Sequence, residues 1–175
     1  MTPTKRSAPL EDLGHVPWPE IKDSTGCAAA IPFLLDAVAR GDADTAGSAL
    51  GELRRRICQY GFLVGQATAA TVPFLWELVR LPQVTCRVGI LHLLKSIADA
   101  RQWETTAAAY PKLLRRRDNY VEWEREARHA VHAQRGVLRH LLDEPDREIV
   151  RASEELAATL GNRSSADLGC RHEQP

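Results

Sequence analysis

The 175-residue chain has no net charge, because 23 lysines and arginines are matched by 23 aspartates and glutamates. That balance argues against a protein that coats nucleic acid by bulk positive charge, while leaving room for a local patch of either sign. Lysine is scarce: Lys5, Lys22, Lys95 and Lys112 leave 19 arginines to carry the rest of the positive charge. The four cysteines, Cys27, Cys58, Cys86 and Cys170, form no CxxC pair, so no zinc site and no thioredoxin-like motif is signalled. They read as reduced thiols of the core and tail. No apolar run approaches the roughly 18 residues of a membrane span, and no apolar stretch follows Lys5 and Arg6. A cytoplasmic protein with no membrane partner is expected. There is no P-loop, no G-x-G-x-x-G and no G-x-S-x-G, so no cofactor is expected and no catalytic residue is assigned.

What is present is an ordinary globular composition, 44% hydrophobic and 26% charged, in a chain long enough to bury roughly 70% of its unfolded surface. It also contains an internal repeat. Ile31-Pro32-Phe33-Leu34-Leu35-Asp36-Ala37-Val38 matches Val72-Pro73-Phe74-Leu75-Trp76-Glu77-Leu78-Val79 at a shift of 41 residues. The same shift sets Leu50 on Leu91, Leu53 on Leu94 and Ile57 on Ala98, which is one face of a helix. Each unit therefore reads as a helical hairpin: an A helix opening near a proline, a turn, and a B helix. Arg40-Gly41-Asp42 makes the first turn and Leu81-Pro82-Gln83 the second. The link Tyr60 to Gln66 is apolar between glycines and is expected to pack across the hairpin.

Beyond Arg101 the period fades while the helical signal persists. An A helix is expected over Trp103 to Arg116, and a long B helix over Tyr120 to Leu142 with Ala127, Ala130, Val131, Gln134, Leu138 and Leu141 on one face. A last helix is expected from Arg147 to Leu160, capped by Asp146, with Val150, Leu156 and Leu160 inward. Residues 1–10 and 161–175 lack periodicity and are expected to be disordered, leaving 11–160 as one domain. No strand pattern of useful length appears.

The 41-residue period, the paired helices and the IPFLLDAV and VPFLWELV openings resemble HEAT-like repeats. Val16-Pro17-Trp18-Pro19-Glu20 with Gly26, and the segment Gln59 through Phe74, resemble a bacterial group of that kind. The resemblance covers roughly residues 11 to 160 and implies an all-α fold, a short α-solenoid of about three helical hairpins in a right-handed superhelix. It further implies a concave surface, lined by B helices, that binds a partner it does not name.

One helical step beyond the buried ladder of the B helices stand Arg54 and Cys58, then His92, Lys95 and Asp99, then Arg128, His132, Arg135 and Arg139. Arg54, His92, Lys95, Arg128, His132, Arg135 and Arg139 form a basic ridge if B helices line the inner curve. The alternative is a solvated face on which arginine stems cover apolar surface. Charge is segregated along the chain in an acidic, basic, acidic order, which is either internal complementarity or a surface for anions. The triplets Arg54-Arg55-Arg56 and Arg115-Arg116-Arg117 each spread over three helix directions and cannot form one flat patch. Cys58 beside Arg54 is either a groove thiol of lowered pKa or a buried structural thiol.

Glu126 and His129 make one E-x-x-H pair near Glu122, with no second pair to complete a di-metal site, so no metal is expected. One HEAT-like class, the alkylpurine DNA glycosylases, is similar in using tryptophans and an aspartate on the concave face. Its nearest counterparts here are Trp103 with Glu104 and Trp123 with Asp118, which otherwise read as packing at helix joints, as Trp76 reads as core. The leading expectation is a non-enzymatic scaffold whose partly basic face holds an acidic protein segment or another anionic ligand. A DNA-binding or repair enzyme using the same groove, and a small-molecule-binding biosynthetic helper, are the alternatives; nucleic acid is the less favoured partner.

Overall fold

The computed structural model describes residues 9–113 and 118–168, with side chains described as far as Gly161. The fold is all-helical apart from two short hairpins. The first repeat forms α1 (Ile31–Arg40) and α2 (Ala43–Ile57), the second α3 (Gln66–Val79) and α4 (Arg87–Asp99). They are followed by α5 (Gln102–Ala109), α6 (Tyr120–Ala133), α7 (Leu138–Leu142) and α8 (Arg147–Leu168).

The turn between α1 and α2 is as tight as Arg40-Gly41-Asp42 suggests. A Cβ on Gly41 would come within 2.5 Å of the Ala37 carbonyl oxygen, so only glycine fits. Asp42 caps α2 by accepting from the Thr45 N–H at 2.8 Å, and that hydrogen bond holds its carboxyl below the usual aspartate range. At the other end of α2 every terminal carbonyl has a donor. The Arg54 oxygen takes the Cys58 N–H, those of Arg55 and Arg56 take the Ser24 hydroxyl and N–H, and that of Ile57 takes the Thr68 hydroxyl at 2.6 Å.

Proline opens α1, where Pro32 is its second residue, but does not open α3. That helix starts at Gln66, leaving Pro73 in its interior. The earlier start comes from Thr68, whose hydroxyl takes the Gly65 N–H at 3.0 Å and so begins the helix upstream of the proline. Pro73 deprives the Ala69 carbonyl of its helical donor, but it lies exposed, where water can substitute.

The repeat ladder is buried at both copies: Ile31, Leu35 and Val38 of α1 match Val72, Trp76 and Val79 of α3, and Leu50, Leu53 and Ile57 of α2 match Leu91, Leu94 and Ala98 of α4. What differs is the rest of each A helix. Phe33 is 78% exposed whereas its counterpart Phe74 is 5% exposed, packed on Trp18 with ring centroids 6.0 Å apart. The reason is position, since α3 is covered by α6 and the N-terminal segment while α1 packs mainly on α2.

The link between the repeats is a hairpin that the sequence reading did not foresee as strand. β3 (Cys58–Gln59) pairs with β4 (Leu63–Val64), and Tyr60 and Gly61 both turn at positive φ, 57° and 82°. Val64 is buried, in keeping with a packed link, while Tyr60 stands 76% exposed on a backbone that bulky residues avoid. A second hairpin, β1 (Lys22–Asp23) with β2 (Gly26–Cys27), precedes α1. Leu10, placed in the disordered head by sequence, is buried, and its N–H donates to Glu77 Oε1 at 2.8 Å.

The third unit departs most from expectation. The helix expected over Trp103 to Arg116 ends at Ala109, because Pro111 holds Tyr110 out of helical geometry. The long helix expected to Leu142 breaks at Gln134 into a 3-10 turn over Arg135–Val137 before α7 resumes, with Gly136 inside the break. α8 is capped by Asp146, which accepts from the Glu148 N–H at 2.9 Å; it runs past Gly161 to Leu168. It packs on α4 and α7 through Ile149, Ala152, Leu156 and Leu160, with Val150 only half-buried. Met1 to Ala8, Arg115-Arg116-Arg117 and Cys170 lie outside the described residues.

Candidate binding surface

The cations named from sequence divide into those held by carboxylates and those that are not. Arg128 belongs to the first group and leaves the ridge. Its side chain is 11% exposed, and its guanidinium donates to the Ala100 carbonyl at 2.8 Å and to Glu104 at 2.7 Å, with Glu124 at 3.4 Å. Glu124 is fully buried and accepts the N–H groups of Trp103 and Glu104, at 2.9 and 3.0 Å. A carboxylate of α6 therefore caps the N-terminus of α5, and Arg128 joins that cap to the end of α4. Burial would raise the Glu104 carboxyl, but hydrogen bonds and charge from Arg128, Arg125 and Arg101 outweigh it and hold it below the usual range.

Other arginines are locked in the same way. Arg87, buried in α4, donates to the Val79 carbonyl at 2.7 Å and to Glu144 at 2.6 and 3.3 Å, which lowers the Glu144 carboxyl. Arg56 binds Asp23 at 2.9 Å, Thr25 at 2.7 Å and Glu52 at 2.9 Å, tying the first hairpin to α2. Within that triplet Arg55 and Arg56 share Glu52, while Arg54 reaches Ser96. Lys95 pairs with Asp99 at 3.0 Å. These pairs form largely within a unit or between neighbouring ones, and among the described residues none joins Arg125, Arg128, Arg135 or Arg139 to the acidic first unit or last helix.

Arg54, Arg135 and Arg139 have no carboxylate partner among the described residues, and all three are exposed. Arg54 reaches Ser96 Oγ at 3.3 Å beside Gly61, on the same stretch of α4 as the exposed His92. Arg135 donates weakly to the carbonyl of the half-buried His132, at 3.4 Å. Arg135 and Arg139 flank a cleft of about 630 Å³ between the α6–α7 elbow and α8, where Leu138 and Leu160 form an apolar floor. α8 was not named as a binding element from sequence, and its small residues Ala157 and Gly161, one turn apart, were the available signal.

Trp103, Trp123 and Asp118 of the alternative groove come together around Tyr120, while Glu104 is held by arginines. Trp103 stacks on Tyr120 at 4.4 Å, and Trp123 meets the same ring edge-on at 5.2 Å. The Trp103 indole N–H donates to the Val64 carbonyl at 2.9 Å, tying α5 to the β3–β4 hairpin. Asp118 binds Lys22 at 3.3 Å and the Tyr120 hydroxyl at 3.2 Å. Cys58 is fully buried, and its thiol is pushed up to about 11 by burial, which outweighs the lowering effect of nearby Arg54. It is a structural thiol, not a reactive one at the groove. Glu122 lies 3.7 Å from Arg125, His129 is exposed, and no group of three or more potential metal ligands occurs among the described residues.

Taken with no helix long and apolar enough to cross a membrane among the described residues, these features define an all-helical protein with a partly cationic surface. Compared with protein-family models, curated proteins and solved structures, the chain finds no match.

Proposed function

We propose that the chain is a short right-handed α-solenoid of HEAT-like hairpins that works as a non-enzymatic binding module, holding an acidic protein segment on the face formed by its B helices. The observation that carries this reading is the division among the cations. Arginines that stabilise the fold are each given carboxylates, whereas Arg54, Arg135 and Arg139 stay exposed without one among the described residues. Leaving a long cationic side chain unpaired costs nothing in water, and an anionic partner supplies the missing charge. Trp103 is engaged by Val64 and Tyr120, Asp118 by Lys22 and Glu104 by Arg128, which favours packing over chemistry at that cluster.

The test is affinity capture from source-cell lysate with and without nuclease, using the wild type and the triple variant Arg54→Glu, Arg135→Glu, Arg139→Glu. One stoichiometric protein that survives nuclease and is lost with the triple variant is the expected result. Recovery of nucleic acid, with binding that falls steeply as salt rises, would replace this reading with the DNA-binding one.

A further inference from the structure

We propose that the cleft between the α6–α7 elbow and α8 seats an acidic amphipathic helix of the partner, apolar side chains down and carboxylates on Arg135 and Arg139. This rests on the binding-module reading and names the shape and chemistry of what is bound. The cleft holds about 630 Å³ over a floor of Leu138 and Leu160, so apolar side chains can enter it. Each wall includes small residues, Ala133 and Gly136 on one side and Ala157 and Gly161 on the other. A Cβ added to Gly136 or to Gly161 would meet nothing within 4 Å among the described residues, which leaves the backbone at both positions open to close approach by another helix. Its rim is cationic, since Arg135 and Arg139 are four residues apart, exposed and without a carboxylate among the described residues. Carboxylates flanking the apolar face of the visiting helix match that rim in charge. An apolar face flanked by acids is the complementary surface, in the helix-in-groove mode of recognition.

The probe is a displayed library of peptides about 15 residues long, enough to hold a helix, with Glu or Lys at two flanking positions one turn apart and Leu or Ser facing the cleft. Glu-flanked, Leu-faced sequences should be enriched. Their affinity should fall about tenfold or more in Arg139→Glu and in Gly161→Phe, which fills the cleft from an open helical position, and should hold in Gly161→Ala. Thermal melts of the three variants keep loss of binding distinct from loss of fold. The proposal is overturned if no sequence is enriched, if Lys-flanked or Ser-faced peptides bind equally, or if binding survives Gly161→Phe. Acidic peptides indifferent to Gly161→Phe but lost in Arg54→Glu would overturn the cleft and leave the binding-module reading standing. Dimerisation in sedimentation that Gly161→Phe removes would make a second copy of the chain the occupant, and would also overturn it.

Discussion

In the first two hairpins, contact between helices is made by carbon: Leu50, Leu53 and Ile57 of α2 and Leu91, Leu94 and Ala98 of α4 are all buried. Leu50 approaches so closely that a Cβ on Gly89 would lie 2.8 Å from its methyl group. In the region of α5 charge joins an aromatic contact, Trp103 on Tyr120. That helix buries none of its residues and is held at its N-terminus by Glu124 and Arg128. The difference shows two solutions to one task within a single stack. An apolar ladder can be repeated because any well-shaped side chain serves, whereas a buried ion pair works only with its own geometry and partners.

The largest test of that contrast is Glu124→Leu. It leaves two helix N–H groups without acceptors and Arg128 with one carboxylate fewer, and a loss of about 3 kcal/mol in urea unfolding is expected. Leu53→Ala should cost a similar amount, about 3 kcal/mol, for an unrelated reason, the cavity it leaves. Hydrogen exchange separates the two: Glu124→Leu should deprotect α5 first, and uniform deprotection would mean that α5 is not held locally.

Acid sharpens the comparison by acting on charge alone. Asp23, Glu104 and Glu144 titrate below their ordinary values of 3.8, 4.5 and 4.5 in the folded protein. For Asp23, burial is opposed and outweighed by hydrogen bonds from Arg56 and Thr25. Carboxyls depressed in this way bind protons more weakly folded than unfolded, so their stabilisation is full above about pH 5 and is lost as pH falls through the depressed values. The urea midpoint should be level from neutral pH to about 5 and then drop. Glu104→Gln should flatten that drop, and an unchanged acid limb would remove Glu104 from the explanation.

A smaller effect is expected where local sequence and backbone disagree. Tyr60 sits at φ 57°, and Tyr60→Asn should raise stability by about 1 kcal/mol, since asparagine tolerates that region better. No gain would mean that the Tyr60 ring, 6.3 Å from Phe62, returns as much in packing as the backbone costs. The smallest perturbation is chemical. A thiol reagent in native buffer should modify exposed Cys27 promptly and Cys58 only after unfolding. Equal rates would show that the β3–β4 hairpin opens readily.

Much of the fold was legible because periodicity is a local property. The 41-residue shift located α1 through α4 and the buried ladder residue by residue. The third unit was misread where one residue outweighed a pattern: Pro111 ended α5 early, and the 3-10 turn containing Gly136 split the expected long helix. For the candidate surface, sequence put Arg128 and Arg139 on one stripe, and only the fold distinguished them, through the proximity of Glu104 and Glu124 to one and not the other.

The sequence by itself determined which residues become helical and which stripe of each helix is apolar, since both depend on neighbours within a few positions. Tertiary structure alone decided which copy of a repeated phenylalanine is covered, which arginine finds a carboxylate, and where a cleft is left. Each of these depends on what another element, dozens of residues away along the chain, brings into contact, and a stripe on one helix does not encode its neighbour.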